Sequence, residues 1–198
     1  MPPEPSSSSY EMRVYETGCV ATRPDSLHDW FNALVWLAFP LTKARLNARH
    51  AAEIPREGGR RGRLRDMLTL FDEGGALVVC DDAEMVRLVR EMRWRELFWT
   101  RRERLERCMR FVVIGHAVLE QALEPWPGIT CKAIFVSPHR PLDTQAAEWL
   151  ARCGPQATPK DLAPLPVFGY PGWLPASAQA AFYDDARYFR PLRQGKAG

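Results

Sequence analysis

Three histidines stand at spacings that place each beside other polar side chains. His28 and Asn32 are four residues apart. Lys43, Asn47 and His50 follow one another at steps of four and three. His116 and Glu120 are again four apart. On a helix each set shares one face. Asp29 adjoins His28, and Asp66, Asp72 and Glu73 add carboxylates from a separate segment. Imidazoles and carboxylates from several elements form the donor set that zinc, manganese or iron accepts. A metal so held activates water for hydrolysis, and a histidine or carboxylate also serves as a general base. The candidate catalytic residues are therefore His28, Asp29, Asn32, Asn47, His50 and Asp66. The candidate metal ligands are His28, His50 and His116, for a divalent ion.

Each of these has a structural reading as well. His28 beside Asp25 and Ser26 finishes a helix N-terminus, and His50 suits the negative end of a helix dipole. His116, among Val112, Val113 and Leu119, fits a core histidine that is hydrogen-bonded in place. None of the spacings is H-E-x-x-H.

Other chemistries find no motif. There is no G-x-S-x-G elbow, no P-loop and no G-x-G-x-x-G. The five cysteines, Cys19, Cys80, Cys108, Cys131 and Cys153, include no C-x-x-C pair. A disulfide framework and a zinc ribbon are thereby disfavoured, and free buried thiols in a reducing cytoplasm are expected. The net charge of +3 is too small to mark a nucleic-acid binder. Arginines do cluster over 56–65 and 87–110, with Trp94 and Trp99 as stacking candidates. Interleaved Glu91, Glu96, Glu103 and Glu106 point instead to paired charges on a solvated face. Nucleic-acid or phosphate binding is a further option and not the favoured one.

The elements that must position these residues read as follows. The Pro/Ser-rich start is no signal peptide, and the apolar run Ala33 to Phe39 is too short to span a bilayer, so a cytoplasmic protein is expected. A disordered leader covers 1–9, one globular domain 10–193 and a disordered tail 194–198. Asp25 or Ser26 caps a helix over Leu27–Phe39, Pro40 breaks it, and a second helix runs to about Ile54. After the basic loop 56–63, strands at Met67–Asp72 and Ala76–Cys80 are joined at Glu73-Gly74-Gly75 as a hairpin. Helices follow at Ala83–Met92, Trp94–Phe98 and, with helical spacing, Arg101–Leu123. Ile129–Val136 is a third strand, and Asp143 or Thr144 caps a helix to Arg152. The remainder, rich in Pro, Gly and aromatics, is an irregular strap pinned by Phe168, Tyr170, Trp173, Phe182, Tyr183 and Tyr188. The class is α+β, helix-dominated, with a small antiparallel sheet made of the 67–80 hairpin and strand 129–136.

One long pattern runs through these segments. It comprises Thr22-Arg23, His28-Asp29, Phe31 to Leu37, Phe39-Pro40, Lys43, Leu46-Asn47 and His50. Arg65-Asp66, Leu68 to Glu73, Gly115-His116-Ala117 and Leu119-Glu120 continue it. Leu165 to Val167, Pro171 to Trp173 and Phe182 to Asp185 complete it. Over Tyr15 to Pro191 this closely resembles the bacterial domain-of-unknown-function family 3025, whose members carry a longer segment before the Tyr15 region. The resemblance implies no reaction, cofactor or catalytic residue. His28-Asp29 also resembles the His-Asp doublet of HD phosphohydrolases, without the upstream histidine that pattern needs.

Two functions follow. The first is a cytoplasmic hydrolase, with a divalent metal as candidate cofactor, whose site is lined by His, Asp and Asn. The second is a non-enzymatic binding or scaffold protein in which the same residues form a buried polar network. Convergence of His28, His50 and His116 on one cleft favours the first. Separate burial of each favours the second.

Overall fold

The computed structural model describes residues 10–56 and 61–192. The expected leader 1–9, the tail 194–198 and residues 57–60 of the basic loop lie outside the described residues. Eight α-helices are assigned among the described residues: α1 (Tyr10–Thr17), α2 (Leu27–Ala38), α3 (Pro40–Glu53), α4 (Arg63–Gly74), α5 (Ala83–Arg90), α6 (Arg102–Cys108), α7 (His116–Gln121) and α8 (Leu142–Arg152). Four strands accompany them: β1 (Gly75–Val79), β2 (Arg110–Val113), β3 (Cys131–Val136) and β4 (Ala163–Leu165). Helix dominates and the sheet is small, as the α+β reading requires.

The sheet has the order β2-β1-β3-β4 and is mixed, not antiparallel. β1 pairs antiparallel with β2 and parallel with β3, while β3 pairs antiparallel with β4. The 67–80 hairpin is not formed. Leu64, Met67, Leu68 and Phe71 are all buried at i, i+3, i+4 and i+7, so the first supposed strand is helix α4. The Leu-Thr-Leu alternation there is shorter than the helical repeat that contains it. Helix α4 runs straight into β1 at Gly74-Gly75, with no turn between. The long helix expected over Arg101–Leu123 is likewise divided. Phe111 to Ile114 is a continuous β-branched and aromatic run that gains more by pairing with β1, in register Ala76↔Val113 to Val79↔Arg110.

Alternation along the strands sets up two cores. Ala76, Val78 and Ala133 join Met85, Leu88, Phe98 and the aromatic strap on one face. Leu77, Val79, Ile134 and Val136 join Val35, Leu46, Met67, Leu68 and Phe71 on the other. Of the expected anchors of the strap, Phe168, Tyr183 and Tyr188 are buried, Tyr170 and Phe182 are half-buried, and Trp173 is exposed. Tyr188 Oη donates to the Ile129 carbonyl at 2.9 Å, and Phe189 is buried as well. The helical layer α1–α4 with α7 carries the polar residues of interest.

Helix ends explain how those helices are held. Ser26 caps α2, its Oγ accepting from Asp29 N at 3.2 Å. Pro40 starts α3. Asp143 does not cap its own helix, whose N-cap is Pro141. Its carboxylate instead accepts from Leu41 N at 2.9 Å and from Thr42 N and Thr42 Oγ1 at 2.8 and 2.7 Å, capping α3 from a distant part of the chain. Asp143→Ala is therefore expected to lower stability by about 1–2 kcal/mol, read as a lower denaturation midpoint with unchanged slope.

Many arginines of the clusters are held in ion pairs. Arg87–Glu91 and Arg102–Glu106 are i,i+4 pairs, and Arg104 binds both Asp82 and Glu84. Trp94 is buried, donating Nε1–H to the Arg190 carbonyl, so it offers no stacking face. No helix among the described residues is long and apolar enough to cross a membrane.

Candidate functional site

Helices α1, α2, α3, α4 and α7 meet around one polar cleft of about 280 Å³. His28, Asp29, Asn32, Asn47, His50 and His116 all line it, with Lys43, Asp72, Glu73, Tyr10, Glu11 and Arg23. Asp66 does not line it: it is exposed and pairs with Arg61 at 3.2 Å. The helical course of α4 explains this. Asp66 and Asp72 are six residues apart, which sets their side chains on different sides of the helix. Asp72 is the residue α4 contributes to the cleft.

His116 opens α7 directly after Gly115. A Cβ at Gly115 would lie 2.5 Å from Glu73 O, Gly74 Cα and Gly75 N, so only glycine lets α7 start hard against the end of α4. This close approach brings His116 Nδ1 to 2.8 Å from the Asp72 carbonyl oxygen. Its other nitrogen, Nε2, lies 3.0 Å from His28 Nε2, with the rings edge to face. His28 Nδ1 lies 3.0 Å from Glu120 Oε2. His116 is buried, while His28 and Glu120 are about 40% exposed at the mouth, their side chains at 41% and 39%.

These contacts set the tautomers. A carbonyl and a carboxylate oxygen only accept, so both Nδ1 atoms carry the hydrogen. In the neutral rings both Nε2 atoms then present lone pairs to each other. Burial lowers the His116 pKa, which favours its neutral ring.

A second network joins the first through Asp72. Lys43 Nζ donates to Asp72 Oδ1 and, at 2.8 Å, to Asn32 Oδ1. Asn32 Nδ2 donates to Tyr10 Oη at 3.0 Å, and Lys43 also sits over the Trp36 ring. At the rim Arg23 grips Asp29 through two side-chain bonds and its own N–H. That guanidinium holds the Asp29 carboxyl far below the usual range, so it is no proton donor or acceptor near neutrality. Asn47 is spent on the Glu11 carbonyl at 2.7 Å.

His50 lines the cleft but stands apart from the histidine pair. Arg65 Nε points to its Nδ1 at 3.3 Å. Among the described residues no three or more His, Cys, Asp or Glu side chains are gathered as a metal-holding group. His50, expected as a ligand beside His28 and His116, has Arg65 as its partner, and only His28 and His116 are in contact with each other. Tyr10 and Glu11 were not foreseen, since α1 has no marked periodicity to announce it.

A family model described as a protein of unknown function, DUF3025, matches residues 2–193. The chain belongs to this family. No curated protein and no solved structure matches it significantly. The DUF3025 description carries no activity, so the site's chemistry rests on the geometry above.

One prediction concerns His50 of this DUF3025 chain. Burial pushes its pKa down to about 4. Between about 6.5 and 4 the unfolded chain binds a proton that the folded chain does not, so stability rises with pH through that window. About 3 kcal/mol is expected to be lost on acidification across it. His50→Gln should flatten that slope in urea titrations at successive pH values.

Proposed function

We propose that this protein is a hydrolase whose active site is the α1–α4/α7 cleft, with water activated at the Nε2 pair of His28 and His116. The observation that carries this reading is the approach of two imidazole Nε2 atoms to 3.0 Å, each ring held by an oxygen at its Nδ1, in a solvent-reached pocket. Lys43, buried in the same cleft with one N–H beyond those given to Asp72 and Asn32, supports the reading as a cation set against charge developing on a substrate oxygen.

The charge of the lining narrows the substrate. Among the described residues Glu11, Asp29, Asp72 and Glu73 line the cleft with Arg23 and Lys43, and Arg65 pairs with Glu11 at 3.8 Å, so the lining holds one more carboxylate than the permanent cations that meet it. Such a lining disfavours phosphate and carboxylate groups and favours a small neutral or cationic ester or amide.

The test is a panel of chromogenic esters, amides and phosphate esters, run with wild type and with a His28→Ala/His116→Ala variant. Turnover of a neutral or cationic ester or amide that disappears in a folded double variant is expected. Turnover unchanged in the variant, or none on any class, contradicts the reading.

The scaffold alternative has its own support. Asn47, Thr42 and Asn32 are all engaged by protein partners, as in a purely structural polar network. If that reading holds, loss of His28 and His116 changes stability alone.

A further inference from the structure

We propose that the outward face of α2 is a self-association surface, on which a second copy of this chain packs its own α2 in the antiparallel direction. This stands independently of the hydrolase reading.

Nine of the twelve residues of α2 are apolar, yet Val35 is the only one of the nine that is buried. Leu27, Trp30, Leu34 and Leu37 are exposed, Leu37 by 78%, and Leu41 continues them at the start of α3. Their steps are three, four, three and four, the repeat by which two helices interlock side chains. The other side of α2 is already used, because His28, Asp29, Asn32 and Trp36 line the cleft. A surface helix ordinarily turns its charges to solvent. This one turns leucine and tryptophan outward and contains no Lys or Arg.

Area, symmetry and charge each point to a second copy. About half of each of five large side chains amounts to roughly 500 Å² of apolar surface, more than a monomer ordinarily shows in one patch. Two such stripes face to face remove roughly 1,000 Å², the least that a specific interface needs. The exposed Ala38, Pro40 and Ala44 extend it. With a two-fold axis at Leu34 the stripe complements itself. Leu34 meets Leu34 of the second copy, Trp30 meets Leu37, and Leu27 meets Leu41. The ends then match in charge. Asp25 precedes α2 and Arg45 lies one turn after Leu41, both exposed and neither in an ion pair among the described residues. Antiparallel packing brings Asp25 of each copy to Arg45 of the other and opposes the two helix dipoles. Parallel packing would set like ends together. A helix that lies on a bilayer carries Lys and Arg along its polar side, and α2 has none. Since α2 also carries His28, the contact would steady the helix at the mouth of the cleft.

The test is sedimentation of the full chain over roughly 1–100 μM, with reductant present so that the exposed Cys19 forms no cross-link. A reversible dimer is expected. Leu34→Glu places two carboxylates against each other on the axis and should weaken it by roughly a hundredfold or more. Asp25→Asn, which suits the left-handed backbone at φ 60, and Arg45→Gln should each weaken it by roughly two- to tenfold. Together they should do no more than either alone. Leu192→Glu, an equally exposed leucine in the strap, should leave the dimer intact. Circular dichroism checks folding, and Leu37→Glu, at the most exposed of the five positions, decides if Leu34→Glu does not fold. A chain that stays monomeric throughout overturns the proposal, as does a dimer indifferent to both Leu34→Glu and Leu37→Glu. A monomer that floats with neutral or anionic phospholipid vesicles, and stops doing so in Leu34→Glu, would overturn it in favour of a lipid surface.

Discussion

His116→Ala is expected to reduce kcat by 10²–10⁴-fold, roughly, equivalent to about 3–5 kcal/mol of transition-state stabilisation. His116 supplies the buried half of the nitrogen pair, and no neighbouring donor can take its place. Its Nδ1 bond to the Asp72 carbonyl is one hydrogen bond, so the accompanying stability loss is about 1 kcal/mol. The large effect on turnover and the small one on folding separate a chemical role from a structural one. His50→Gln should show the opposite pattern, with altered acid stability and kcat near wild type, because His50 is tied to Arg65 and not to the pair. Steady-state kinetics on any substrate found by the panel, with urea melts of the same preparations, measure both. Equal loss of kcat in both variants would show that the cleft does not single out His116.

Lys43→Ala is expected to be the most destabilising single change in the cleft. The ammonium side chain is 5% exposed and its partner Asp72 26%. Truncation leaves Asp72 without its cation and the Asn32 carbonyl without a donor. Breaking a buried pair costs about 3–5 kcal/mol, and water reaching Asp72 reduces this to about 2–3 kcal/mol. For a chain of this size that lowers Tm by roughly 5–10 °C. The cause can be isolated by a double variant. In an Asp72→Asn background no bare carboxylate remains, so Lys43→Met should cost much less than it does alone. Simple addition of the two single costs would show that the ion pair is not what holds these helices together.

Much of this was legible in the residues because helical spacing is a local property. His28 with Asn32, Lys43 with Asn47 and His50, and His116 with Glu120 could be placed on shared faces before any fold was known. The cap at Ser26, offered there with Asp25, was visible for the same reason. Whatever depended on distant partners was not. Met67 to Asp72 has strand-like residues, yet it is a helix because Leu64 and Phe71 complete a buried stripe against the sheet. Phe111 to Ile114 lies within a helical pattern, yet pairs with β1. Asp143 is an apparent cap for its own helix and in fact caps α3. In the site, the sequence reading took Asp66 and not Asp72 as a candidate, whereas the helical path of α4 brings Asp72 to the cleft. The meeting of His28 with His116 depends on Gly115 allowing α7 to start against α4, a contact no spacing reveals.

The central claim is that the Nε2 atoms of His28 and His116 meet in the cleft and that the buried His116 ring holds its hydrogen on Nδ1. Nitrogen-15 NMR of the histidine rings, in chelator-treated protein near neutral pH, tests it most directly, with His28→Gln and His116→Gln supplying the assignments. The account predicts that His116 carries its hydrogen on Nδ1 and that its Nε2 is bare. A hydrogen found on His116 Nε2, with Nδ1 bare, would contradict it, since the Asp72 carbonyl would then not be orienting the ring and the pair would have no lone pair to offer.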